Sequence, residues 1–409
     1  MRQMLCWVAG SWLALAILTA GEVTAPAPGI PASAVAAPNK WKNGPPVDPA
    51  FFPVAVWLQD PRNADKYKAA GVNTYVGLWE GPTEAQLTAL KKAGIHVICA
   101  QNEVGLQHKD DPTIIAWMHG DEPDNAQEKP DKKGYGPPIA TQKIIDDYKA
   151  IVARDATRPV LLNLGQGVAW DKYIGRGVRS GHPEDYAEYM KGCDYVSFDI
   201  YPVSGETAPE VKEHLELVPF GVKRLMEWAQ GKKRVWCCIE STGIDNVNRK
   251  PTPKEIRSEV WQALIQGASG IIWFCHEFKP NFKEAAPLDD PPTLAAMTTI
   301  NGEIKDLAAV LNAPVAVDGA RVSSSDAKVP VAVTARKMPD AIYVFAAASK
   351  PGKTDASITV PAAGGVSGGI AEAEVLGENR KVALKGGVFV DEFKDWDVHL
   401  YKLVLKKNK

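Results

Sequence analysis

The chain has 409 residues, of which 45% are hydrophobic and 23% are charged, close to the averages of ordinary globular proteins. This composition excludes collagen, a long coiled coil and an intrinsically disordered chain. The 47 Lys and Arg residues are balanced by 49 Asp and Glu residues, which gives a net charge of −2. Because there is no excess of positive charge to hold phosphate groups, we do not expect nucleic acid as a partner.

The amino terminus has the pattern of a secretory signal peptide. Arg2 precedes a short apolar run that extends from Met4 to Leu18, and small residues follow it. This run is shorter than the roughly 20 residues that a transmembrane helix needs. We therefore predict a signal peptide over residues 1–25 and an Ala/Pro-rich linker over residues 26–45. The expected location is secreted or periplasmic, with no membrane contact after the signal is removed.

The six cysteines do not suggest a disulfide framework. Cys6 lies in the predicted signal peptide, and the odd number that remains has no framework spacing. These are Cys99, Cys193, Cys237, Cys238 and Cys275. Most of them lie in apolar runs, so we predict small buried side chains rather than disulfides or metal ligands.

Between residues 51 and 311 the chain alternates short apolar runs with longer amphipathic segments. The apolar runs are residues 52–58, 73–78, 96–100, 114–119, 160–164, 195–200, 235–239 and 270–274. Helical signals lie between them, such as Thr83 as the N-cap of a helix that ends at Gly94, and the segments 139–156 and 253–270. Eight apolar strands with helices between them predict an α/β fold, a (β/α)8 TIM barrel over residues 46–312.

The carboxyl-terminal part has a different pattern. From residue 315 onwards, short alternating runs rich in Val, Ala and Gly replace the helical segments. This pattern predicts an accessory domain over residues 313–409, folded as an antiparallel β-sandwich.

Two carboxylates are placed where a barrel assembles its site. Glu122 follows the fourth apolar run and Glu240 ends the seventh. Because the carboxyl ends of barrel strands form one rim, we expect these side chains to meet over the mouth. Cleavage of a glycosidic bond needs an acid on one side of the anomeric carbon and a carboxylate on the other, and a separation of about 5 to 5.5 Å gives retention.

With Glu residues at these two strand ends, the chain resembles the retaining (β/α)8-barrel glycoside hydrolases of clan A over about residues 51–311. The resemblance implies that Glu122 is the general acid/base and that Glu240 is the nucleophile. It also implies that Tyr201 hydrogen-bonds the nucleophile and that Trp273 forms the floor of a sugar subsite. The family usually has Asn before the acid/base, whereas this chain has Asp121 in an Asp-Glu-Pro triplet, so we expect a different contact to the sugar 2-hydroxyl.

Three further residues complete the predicted substrate pocket. Trp57 lies near the predicted rim and could stack on a sugar. His119 and His276 could hydrogen-bond the substrate or could be packed histidines. Repulsion from Asp121 and Glu240 is expected to raise the pKa of Glu122, and hydrogen bonds from Tyr201 or His276 are expected to keep Glu240 ionised.

The sequence therefore predicts an exported retaining glycoside hydrolase that acts on a poly- or oligosaccharide without a cofactor or metal. One alternative is a non-catalytic barrel that binds carbohydrate, with chemistry disabled by Asp121. A second is a metal-dependent sugar isomerase with Mg²⁺ or Mn²⁺ held by four ligands. Those ligands would be Glu122, Asp199, Glu240 and His276. The oligomeric state is left open.

Overall fold

The computed structural model describes residues 41–205, 208–364 and 370–405. The predicted signal peptide, most of the predicted linker and Cys6 lie outside the described residues. Within the described ranges, no helix is long and apolar enough to cross a membrane.

A parallel sheet forms the barrel, with neighbouring strands in the order β7-β6-β5-β4-β3-β2-β1-β9-β8. Its strands are β1 Val54–Trp57, β2 Thr74–Val76, β3 His96–Cys99, β4 Ile114–Asp121, β5 Val160–Leu164, β6 Tyr195–Phe198, β7 Arg234–Val235, β8 Cys237–Glu240 and β9 Ile271–Phe274. The seventh predicted run becomes two strands at Trp236, since β7 pairs with β6 whereas β8 pairs with β9. The bent segment of β7 and β8 thus pairs with β6 on one side and with β9 on the other. The predicted TIM barrel is confirmed.

Helices cover the outside of the barrel. They are α1 Ala64–Ala69, α2 Glu84–Ala93, α3 Glu103–Gln107, α4 Thr141–Arg154, α5 Asp185–Tyr189, α6 Leu217–Ala229, α7 Pro253–Ile265, α8 Pro291–Asp306 and α9 Ala308–Leu311. The predicted ends of α2 are confirmed, because Thr83 accepts a hydrogen bond from the Gln86 amide and Gly94 adopts a left-handed conformation with φ +65°.

Alternation along the strands separates two layers of core. Cys237 and Ile239 pack in the layer between strands and helices, whereas Cys238 faces the barrel interior. The five cysteines among the described residues are buried and free, as predicted.

The carboxyl-terminal domain contains two antiparallel sheets, as the sequence predicts. The three-stranded sheet has the order β10-β13-β16 and the five-stranded sheet has the order β11-β12-β17-β14-β15. The strands are β10 Arg321–Ser324, β11 Val331–Lys337, β12 Ala341–Ala348, β13 Thr354–Thr359, β14 Glu372–Val375, β15 Arg380–Ala383, β16 Val388–Phe393 and β17 Val398–Val404, and α10 Pro361–Gly364 is a single turn. This domain packs on α7, where the rings of Trp261 and Phe345 lie 5.2 Å apart.

Candidate active site

A cluster of carboxyl groups lies at the carboxyl ends of β4, β5 and β6. The Glu122 amide donates to the Asn163 carbonyl over 3.0 Å, and the Asp199 amide donates to the Leu164 carbonyl over 3.1 Å. Glu122 and Asp199 therefore flank the end of β5 from its two neighbouring strands. Their side-chain carboxyls contact each other.

Protein surrounds these carboxyls, yet solvent reaches them from one side. Glu122 is partly exposed and Asp121 is exposed, and a Cβ on the exposed Gly120 would meet open space. Burial nevertheless raises the pKa of Asp121 to about 6 and that of Asp199 to about 7.

The pKa of Glu122 is raised well above its usual range, first by burial and then by the charges of Asp199 and Asp121. The repulsion expected from Asp121 is present. The strongest neighbouring charge, however, comes from Asp199 and not from Glu240, because the β6 strand end lies beside Glu122.

Asp124 supports the loop that carries Glu122. Its carboxylate is fully buried, and it accepts hydrogen bonds from the Gly165 amide over 2.9 Å and the Tyr186 hydroxyl over 2.8 Å. Arg176 donates to the Asp124 carbonyl over 3.2 Å and forms an ion pair with Asp185. This network holds the segment in which Glu122 adopts a φ of +41°.

Asn163 connects the acid cluster to the barrel interior. Its amide nitrogen donates to Asp121 over 3.0 Å, and its carbonyl oxygen accepts from the Ser197 hydroxyl over 2.7 Å. Asp121 therefore has a partner within the protein at the position where the family pattern places Asn.

Glu240 lies on the barrel rim but is enclosed. It is fully buried and accepts hydrogen bonds from the amides of Val203 and Ser204, over 2.9 and 2.8 Å, and from the Ser204 hydroxyl. The expected donors were Tyr201 and His276. The segment after β6 takes their place because it turns back over the end of β8 and presents its own amides.

Glu240 also contacts the carboxyl of Glu259 on α7. Both side chains are fully buried, and the pKa of Glu259 is raised well above its usual range by burial and then by the charge of Glu240. Burial raises the pKa of Glu240 as well, but its hydrogen bonds oppose that rise, so we assign the proton of the pair to Glu259. Thus Glu122 pairs with Asp199 and Glu240 pairs with Glu259, and the two predicted catalytic carboxyls do not contact each other.

Tyr201 lies beside Asp199, although the hydroxyl and the carboxylate do not meet full hydrogen-bond geometry. The expectation that Tyr201 hydrogen-bonds Glu240 is therefore wrong in this conformation. Its ring packs against Phe274, with centroids 4.8 Å apart, and lines the inner side of the mouth.

The other residues predicted to line the substrate pocket are buried. Trp273 is fully buried in the outer core layer, where its indole donates to Asn301 over 3.1 Å, and His119 contacts the Ile144 carbonyl. Both side chains point towards the helices because their strand positions face outwards. Trp57 is buried in the barrel interior. His276 lies at the rim and contacts the Gln59 amide over 3.1 Å.

Asp199, Ser204 and Glu259 are the residues that sequence reasoning did not assign to the hydrolytic site. Asp199 had a usable signal, since it follows an apolar strand as Glu122 does. Glu259 had a weaker one, a carboxylate on a helix whose neighbours Ser258 and Val260 are also fully buried. Nothing in the local sequence indicated that Ser204 would contact Glu240.

Among the described residues, no group of three or more His, Cys, Asp or Glu side chains has an arrangement that could hold a metal ion. The four acids at the barrel mouth are included in that statement, and they are Asp121, Glu122, Asp124 and Asp199. Their contacts are pairwise, and Asp121 and Asp124 are already hydrogen-bonded to protein donors.

No family model and no curated protein sequence matches the chain. Solved structures match over most of its length. A catalytic mutant of a GH42 beta-galactosidase from G. stearothermophilus matches with a TM-score of 0.54 and 9% identity, over 87% of this chain and 98% of that chain. The chain has the fold of (β/α)8-barrel glycoside hydrolases.

Two alpha-amylase structures extend this likeness. The Anoxybacillus enzyme has a TM-score of 0.52 and 12% identity, over 88% of this chain and 99% of that chain. The Geobacillus thermoleovorans enzyme, complexed with acarbose, has a TM-score of 0.50 and 11% identity, over 87% of this chain and 99% of that chain. At these identities the likeness is one of fold, so the roles of residues are argued from the geometry of this chain.

Proposed function

We propose that this protein hydrolyses O-glycosidic bonds of a poly- or oligosaccharide by a retaining mechanism, with Glu122 as the general acid/base and Glu240 as the nucleophile. The observation that carries the proposal is the Glu122 carboxyl at the barrel mouth, partly open to solvent, with a strongly raised pKa. A raised pKa favours the protonated form, which is the form that a general acid needs.

In the first step, Glu122 gives its proton to the leaving oxygen while Glu240 attacks the anomeric carbon. In the second step, Glu122 takes a proton from the water that displaces Glu240. Burial raises the pKa of Glu240, and three donors from Val203 and Ser204 oppose that rise by stabilising the ionised form that a nucleophile requires. Because this segment also covers the carboxylate, attack on a sugar requires that it release Glu240.

The test is a panel of 4-nitrophenyl glycosides and soluble polysaccharides. Replacement Glu122→Gln or Glu240→Gln should lower kcat/KM by about 10²-fold or more, because each removes an essential carboxyl group. Glu103→Gln, an exposed rim carboxylate at the start of α3, is the matched control and should retain activity. Full activity in either test variant would reject its assigned role.

Rescue by azide separates the two roles. Azide should restore turnover to Glu122→Ala with a glycosyl azide of retained configuration, and to Glu240→Ala with one of inverted configuration. The anomer that the unmodified protein releases first, followed by NMR, should be the retained one.

A second candidate function is carbohydrate binding without hydrolysis. The complete enclosure of Glu240 favours it, because this carboxylate has no exposed surface. Calorimetric binding of a glycan that is recovered intact after long incubation would support binding alone.

We also propose that the protein is exported, on the signal-peptide pattern of residues 1–25. Mass spectrometry of the protein recovered from the culture medium or periplasm should show a new amino terminus near residue 25. Recovery of the full-length chain from the cytoplasm would contradict this proposal.

A further inference from the structure

One side of the barrel mouth carries exposed aromatic rings that the proposed chemistry does not use. Trp79 follows β2 and is 52% exposed, whereas Phe278 and Phe282 follow β9 and are 42% and 57% exposed. Together with the buried ring of His276, which packs between them, they form what we call the rim aromatic surface. Exposed aromatic side chains that are adjacent to each other are typical of binding sites.

The rings of this surface are in mutual contact. Phe278 and Phe282 stack with centroids 5.8 Å apart and planes at 25°. His276 lies between them and Trp79, 5.8 Å from Phe282 and 6.4 Å from Trp79. These spacings are within the usual range for packed aromatic pairs.

Two buried rings, Phe274 and Tyr201, connect this surface to the acid cluster. Phe274 contacts Phe278 at 6.3 Å on one side and Tyr201 at 4.8 Å on the other. Tyr201 in turn lies beside Asp199, the partner of Glu122. A chain of rings therefore leads from the carboxyls outwards to solvent.

Local hydrogen bonds fix the rings before any ligand binds. Glu277 and Lys283 exchange backbone hydrogen bonds over 2.9 and 2.8 Å, which closes the loop that carries Phe278 and Phe282. Gln59 holds the His276 ring, and burial lowers the pKa of this histidine to about 4. Such preorganisation reduces the entropy that binding would cost.

The two lysines next to the surface are neutralised within the protein. Lys283 forms an ion pair with Glu277 over 2.6 Å, and Lys279 forms one with Asp245 over 3.4 Å. His276 is uncharged near neutral pH. Flat apolar rings next to the exposed carboxylate of Glu80 suit the C–H faces of neutral sugars better than an anionic polymer.

We propose that the rim aromatic surface binds successive units of a neutral glycan chain whose adjoining unit lies over the acid cluster. The inference rests on the proposed function and narrows its substrate to a neutral glycan chain. The packed rings that join this surface to the proposed catalytic acids favour this occupant over a protein partner.

The test uses the full chain, the variants Trp79→Ala and Phe282→Ala, and their combination. Probes are soluble starch, barley β-glucan, birchwood xylan and potato galactan, together with their oligosaccharides of increasing length. We expect the double variant to bind the preferred polysaccharide about tenfold more weakly. Its KM for that polysaccharide should change more than its kcat, because the rings bind the chain and take no part in the proposed chemistry.

Phe220→Ala is the control, since this ring is 43% exposed on the outer helix α6. Equal affinity of the double variant and the unmodified protein, an equal loss in Phe220→Ala, or no binding of any probe would overturn the inference. Hydrolysis with equal polysaccharide affinity in the double variant would reject the inference and leave the proposed function in place. Rim-dependent binding without hydrolysis would support the inference and reject the proposed hydrolysis.

Discussion

The raised pKa of Glu122 depends first on its burial and then on the charges of its neighbours. Asp199 contacts it directly, while Asp121 and Asp124 add negative charge nearby. Each of these charges opposes ionisation of Glu122 and raises its pKa further. The same principle applies to Glu259, which is kept protonated beside Glu240.

Asp199→Asn tests this view of Glu122. The change removes the strongest neighbouring charge, so the pKa of Glu122 should fall by about one unit or more. Since the general acid must be protonated, the high-pH limb of kcat/KM should move to lower pH by the same amount. Rate measurements across pH on one aryl glycoside check this, with the exposed Asp146→Asn on α4 as the control. A limb that stays in place would contradict the coupling of Glu122 and Asp199.

Glu259→Gln tests the buried pair through stability. A carboxyl whose pKa is higher in the folded state costs stability once the pH rises above about 4.3, because only the unfolded chain then ionises. The free energy of unfolding of the unmodified protein should therefore fall between pH 5 and pH 8, by up to about 1.4 kcal/mol per pH unit. The amide of Gln keeps a donor towards Glu240 and cannot ionise, so the fall should be smaller.

Urea unfolding at the two pH values measures this difference. Glu227→Gln, at a half-exposed position on α6, is the control and should follow the unmodified protein. If the free energy of unfolding falls equally with pH in Glu259→Gln and in the unmodified protein, Glu259 is not protonated in the folded state.

At the scale of elements, local signals determine where α2 and α7 begin. Thr83 and Thr252 each form a capping box, with Gln86 and Glu255 as the reciprocal partners. No comparable local sequence signal marks the bend between β7 and β8. It arises because the Trp236 amide donates to Val196 whereas the Cys237 amide donates to Gly270 on the other side.

Two substitutions of the same type on α2 should have opposite effects. Thr83→Ala removes the N-cap acceptor and should cost about 1 kcal/mol of stability. Thr88→Ala lies at an exposed position within the same helix and should raise stability by a few tenths of a kcal/mol, because Ala has the higher helix propensity. Chemical denaturation of both variants checks the signs. A loss at both positions would mean that the cap is not the cause.

At the scale of the whole molecule, the barrel and the sandwich share one core. Phe345, Ala347, Val398 and Leu400 of the terminal domain belong to the same buried cluster as the barrel helices. Arg257 on α7 donates to the Val398 carbonyl over 2.9 Å. Since α7 also carries Glu259, the terminal domain supports the helix behind Glu240.

Phe345→Ala should therefore weaken both parts of the molecule. Loss of this fully buried ring is expected to cost about 3–5 kcal/mol. We expect the unmodified protein to give one calorimetric transition and the variant to give two, because the contact with Trp261 is lost. Val390→Ala, at a 58% exposed position in the sandwich, should leave the profile unchanged. A single unshifted transition in Phe345→Ala would contradict a shared core.

The sequence by itself determined the repeating strands, the two-part architecture and the acids at the strand ends, because hydrophobic periodicity and caps are local properties. Only the tertiary structure decided which acids meet. Asp199 lies beside Glu122, and Glu259 lies beside Glu240, because the segment after β6 folds over β8 and α7 packs behind it. Such contacts join distant parts of the chain, and their geometry depends on packing that no local pattern records.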